Sequence, residues 1–120
     1  MTFDDAVARA SKGTLKPADF SALCDATGGD RTGALDVIAL ELAQRYLAGT
    51  IDYPVADNIA NYLFAYAATI RELPNFMVSI FQAFDAGEFV PPKDPAGTNP
   101  ELKYTRPQIV AALARRGTAS

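Results

Sequence analysis

The 120-residue sequence contains no histidine, no tryptophan and a single cysteine. Without histidine there is no imidazole to act as a general base, to activate a nucleophile or to ligate a metal. Cys24 has no second cysteine to pair with and sits beside Leu23 in a helical pattern, which fits a buried structural thiol. No run reaches the ~18 apolar residues of a membrane span. The most apolar stretch, residues 59–70, is shorter and is broken by Asn61 and Thr69. The start, MTFDDAVARA, carries Asp4 and Asp5 where a secretory leader is positive, and no apolar segment follows. The expectation is a cytoplasmic protein that does not enter the membrane. No Gly-Lys-Ser/Thr follows the glycines, no Gly-x-Ser-x-Gly occurs, and no Glu-x-x-His pair exists for a di-iron bundle.

What is present is apolar and helical. Hydrophobic residues make up 49% and charged residues 21% of the chain, enough to bury one core without staples. Thr2 with Asp5 forms a capping pattern for a first helix that runs to about Lys12 and closes at Gly13. Pro17 opens a second helix, with Phe20, Leu23 and Cys24 on one face, and Gly28-Gly29 stops it. A third helix opens at Asp30 to Thr32 and ends at Ala48-Gly49. Leu35, Ile38, Leu42 and Tyr46 form its stripe, and Val37, Leu40 and Leu47 widen it, so it should be central. A fourth follows Tyr53-Pro54, with Val55, Ile59, Tyr62, Leu63, Tyr66 and Ile70 at helical spacing. A fifth runs from Pro74 to Ala86 with Phe76, Met77, Ile80, Phe81 and Phe84. No alternating strand pattern appears. The fold class is all-α, one compact domain over residues 1–120 with five or six helices. Leu35, Ile38, Leu42, Ile59, Leu63, Tyr66, Ile80, Phe81 and Phe84 are its expected core.

Residues 88–104 contain Pro91, Pro92, Pro95 and Pro100. They predict a long loop, irregular over 90–101, that pins a basic last helix to the body. Thr105 is the expected cap of that helix with Gln108 reaching back, and Ile109, Val110 and Leu113 face inward. Residues 117–120 should fray.

The charges are segregated. Residues 1–16 carry net +1; residues 17–102 carry twelve acids against four bases, net −8; residues 103–120 carry four bases and no acid, net +4. A body of that sign repels phosphate backbones and argues against nucleic acid as the main ligand. It favours a cationic protein surface.

Candidate chemistry lies in the acids around the fourth and fifth helices: Asp52, Asp57, Asp85 and Glu88. Paired carboxylates on facing elements suit general acid–base work or a divalent ion, but the spacing matches no metal loop, and neither a metal nor a cofactor is expected. Asp52 and Asp57 also suit a helix N-terminus. Asn58 and Asn61 sit inside an apolar helix, where each needs a hydrogen-bonding reason. Tyr53 and Tyr104 fall in loop-like stretches and are the tyrosines best placed for display. Asp52, Tyr53, Asp57, Asp85 and Glu88 are therefore the candidate partner-binding set.

The run ELAQRYLAGTIDYPVADNIANYLFAYA followed by IFQAFDAGEF resembles the helical immunity proteins that bacteria make against their own colicin-like or secreted toxins. The Tyr-x-x-Gly that closes a helix in those families is similar to Tyr46-Leu47-Ala48-Gly49. The likeness covers residues 41–89; the proline-rich stretch and the basic end lie outside it. It implies inhibition of a basic toxin by occluding its active site, and no catalytic residue. A small helical enzyme or ligand-binding regulator with a carboxylate site in its bundle is the other class the residues allow.

Overall fold

The computed structural model describes residues 1–118. Six α-helices follow one another: α1 Phe3–Lys12, α2 Asp19–Thr27, α3 Arg31–Leu47, α4 Tyr53–Thr69, α5 Asn75–Asp85 and α6 Arg106–Thr118. The expected all-α bundle is the fold, with no strand among the described residues.

Local chemistry sets most boundaries. Thr2 Oγ1 accepts from the Asp5 amide at 3.2 Å, and the Asp5 carboxylate accepts from the Thr2 amide at 2.8 Å, satisfying two donors at the start of α1. Those bonds hold the Asp5 carboxyl below its ordinary range. Asp30 caps α3 through the Gly33 amide. Asp52 caps α4 through the Val55 amide, with Pro54 in the first turn. α5 has no cap of its own; Asp36, reaching across from α3, accepts from the Met77 amide at 3.0 Å.

α3 is central, as its broad stripe implies: it packs on α2, α4, α5 and α6. Leu35, Ile38, Leu42 and Tyr46 are buried along it. Val37, expected to widen that stripe, points to solvent at 45% exposure. The predicted core is buried in every member except Phe81, which is only half-buried and stacks on Phe64 with ring centroids 4.0 Å apart. Cys24 is a buried free thiol, and burial pushes its pKa up.

The end of the chain differs from its sequence expectation. A π-helical turn, Glu101–Thr105, runs straight into α6, so the irregular stretch ends before 101 and Thr105 caps nothing. Pro107 supplies the reason. It has no N–H for the carbonyl four residues back, and its ring crowds that carbonyl, so the preceding turn widens. Thr105 is buried instead, and its hydroxyl donates to the Ala83 carbonyl of α5 at 2.6 Å. Ile109 and Ala112 face the core, whereas Val110 is 54% exposed. The helix continues to Thr118, past the expected start of fraying at 117. Residues 119 and 120 of that expected tail lie outside the described residues.

Two groups of contacts hold this last segment. Glu101 accepts a short hydrogen bond from the Tyr46 hydroxyl, and Arg116 lies over the Phe76 ring with Asp36 at 3.8 Å. The loop is folded on itself, with Asp94 accepting from Lys103 Nζ and from the Tyr104 hydroxyl.

Candidate functional site

α4 and α5 run antiparallel, and α1 lies along the first half of α4. Where these three meet, a groove of about 620 Å³ opens to solvent. Ala10 and Ser11 of α1 form one wall. Tyr53, Asp57, Asn58 and Asn61 of α4 form the floor, and Glu88, just beyond α5, closes the far side. α4 presents Asp57 and Asn61 to the same side because they are four residues apart on a 3.6-residue helix.

Asp57 is the centre of the groove. Its Oδ1 is buried and has no hydrogen-bond partner, alone among the buried side-chain N and O atoms of the described residues. Its carboxyl is pushed up to about 7, first by burial, then by the facing Glu88 and by the charge of Asp85. Asn61 partly offsets this and also donates to Glu88 Oε2 at 3.2 Å. Burial and the neighbouring negative charges act in the same direction, so Asp57 holds its proton up to near neutral pH. Asn58, also in the floor, donates to the Ala10 carbonyl of the wall at 3.5 Å, tying α4 to the end of α1. Each asparagine thus has a hydrogen-bonding reason for its place inside a helix.

Asp57 and Glu88 of the expected set are brought together in the groove, and Asp85 stands close enough to act on Asp57 while itself exposed. Asp52 is occupied as the α4 cap. Tyr53 is half-buried and lines the groove. It opens α4 with its hydroxyl donating to the Phe84 carbonyl at 2.6 Å, and its ring packs near Tyr46 and Phe84. Burial is the main reason its phenol is pushed well above the ordinary range. Tyr104, the other tyrosine expected on display, is half-buried and held by Asp94. The α1 wall was not legible in the sequence, because no local pattern says which helix lies along α4.

Beside the groove, Gly87 allows the end of α5 to meet the chain before α6. A Cβ there would lie 2.1 Å from Thr105 Oγ1 and 3.0 Å from the Tyr53 hydroxyl. This crowding fixes the turn that carries Glu88 toward Asp57.

Among the described residues, no group of three or more His, Cys, Asp or Glu is arranged to hold a metal ion, and no helix is long and apolar enough to cross a membrane. No family model, curated protein or solved structure matches the chain. The groove therefore has to be read on its own chemistry.

Proposed function

We propose that this chain is a binding protein that inhibits a basic partner protein: an immunity protein of the cytoplasm of a bacterium, neutralising a cognate toxin by covering its active site. The observation that carries the reading is the buried Asp57 Oδ1, without a hydrogen-bond partner, in an open groove that Glu88 also lines. A lysine or arginine from a partner supplies a donor and a positive charge in the groove, and the Asp57 carboxyl then ionises. Unpaired buried polar atoms cost about 1–3 kcal/mol, so pairing this one on binding recovers free energy stored in the free protein. The net −8 of residues 17–102 adds long-range attraction that speeds encounter. The resemblance of residues 41–89 to immunity proteins supports the same direction.

The test is co-expression with the protein encoded beside this chain, followed by titration of the purified pair. The neighbour is expected to be toxic alone and harmless with this chain present. The double substitution D57N/E88Q should weaken the pair at least tenfold, about 1.4 kcal/mol, while the helical spectrum stays intact. Unchanged affinity in a folded double variant overturns the reading.

One observation favours a second reading. A carboxyl titrating at about 7 next to another acid has the properties of a general acid–base pair. A small cationic substrate in the groove would then replace the partner's side chain. Binding of a small molecule that is lost in D57N/E88Q, with no protein partner, selects it.

A further inference from the structure

Tyr53 was the aromatic expected to anchor a partner among the acids, but its hydroxyl and ring are engaged internally. The seam between α4 and α5 offers a different aromatic element. Phe64 of α4 and Phe81 of α5 stack at 4.0 Å with their planes 15° apart, and both rings are only half-buried. Asp57 lies seven residues before Phe64, and Glu88 seven residues after Phe81. Because the helices are antiparallel, the end of α5 lies beside the start of α4, and the turn beyond Asp85 carries Glu88 back to the Asp57 groove. The aromatic pair and the acid pair thus lie along one seam, with Asn61 and Asp85 between them. From Asp57 to Phe64, both on α4, seven residues of helix measure about 10 Å.

We infer that this seam is a docking surface for an amphipathic, basic helix of a partner protein, with an apolar side chain over Phe64 and Phe81 and a lysine or arginine in the Asp57–Glu88 groove. The inference rests on the cation-binding reading of the groove and adds the shape of what enters it. Charge complementarity selects the occupant. The acid end rejects an acidic or purely apolar segment, since either leaves the carboxylates unpaired, and the aromatic end gives a merely polycationic chain nothing to bury. A seam between two antiparallel helices also accepts a third helix along its length, through anchors on one face. The partner's apolar and basic residues must then stand seven positions apart, matching the seam's own spacing.

The test uses two fluorescein-labelled peptides of about eighteen residues, long enough to form helix. Both contain the same leucines, alanines and lysines. One places leucine and lysine seven positions apart on a single face; the other has the order shuffled. By fluorescence anisotropy, the patterned peptide is expected to bind the protein at least tenfold tighter than the shuffled one. F64S/F81S should abolish that preference and leave weak, salt-sensitive binding of both; F81S alone should reduce it severalfold and serves if the double variant does not fold. D57N/E88Q should weaken the patterned peptide at least tenfold. Equal binding of the two peptides by the unmodified protein, or no binding of either, overturns the inference. A preference that survives the phenylalanine substitutions but falls in D57N/E88Q overturns the seam and leaves the groove reading in place. A preference blind to D57N/E88Q overturns both.

Discussion

The two sides of the end of α5 are built from similar residues and put them to opposite uses. On the side facing α3 and α6, Tyr46, Tyr53 and Thr105 spend their hydroxyls on Glu101, the Phe84 carbonyl and the Ala83 carbonyl, and Phe84 is buried among the rings. No space is left, as Gly87 shows. On the side facing α1, Asp57 and Glu88 confront each other across an open groove, one oxygen has no partner, and the nearby phenylalanines stay partly exposed. A closed polar network rigidifies a fold. An incomplete one in an accessible groove holds binding energy in reserve.

Substitutions on the closed side should therefore cost stability, and those on the open side should cost little or even stabilise. The largest effect is expected at Phe84. Its truncation to alanine should cost about 3–5 kcal/mol in denaturant unfolding, whereas Phe81→Ala, from a half-buried ring, should cost about 1–2 kcal/mol. Equal losses would erase the contrast. Next comes Gly87→Ala, where the new methyl group meets Thr105 with no room to move, for about 3 kcal/mol. Thr105→Val keeps the shape but strands the Ala83 carbonyl, for about 1–3 kcal/mol in the same assay.

The helices were legible where their ends are local events: Thr2 with Asp5, Asp30, Asp52 with Pro54, and Gly13 at φ 73°. The errors share one cause. Phe81 and Phe84 both fit the periodicity of α5, but only the crossing of α4 decides which of them is covered. Tyr53 looked displayed because its acceptor lies 31 residues away. Thr105 had a plausible local cap with Gln108, and the α5 carbonyl took its hydroxyl instead. In the site, the acids were legible as a charge pattern. Which of them face each other was not, since Glu88 reaches Asp57 only through the turn at Gly87.

The smallest expected effect on stability is at Asp57, and its sign is the opposite of the others. Its folded-state pKa of about 7 stands above the ordinary carboxyl value of 3.8. The folded protein thus holds this proton more tightly than the unfolded chain does. At pH 3 the group is neutral in both states and carries no penalty; the penalty grows from pH 4 and is complete above pH 7. Asp57→Asn should therefore stabilise the protein at pH 8, by about 1 kcal/mol once solvent screening is allowed for, and have little effect at pH 4. Thermal unfolding of both proteins at the two pH values reads the difference.

Asp57, half-buried beside Glu88 with one buried oxygen unpartnered, keeps its proton up to near neutral pH. Carboxyl carbon chemical shifts of Asp57, followed by NMR from pH 3 to 9, test it directly. The expected midpoint is about 7, moving down toward the ordinary carboxyl range in E88Q. A midpoint near 4 in the unmodified protein, unaffected by E88Q, would mean that the two acids are solvated separately and that the groove holds no unspent charge.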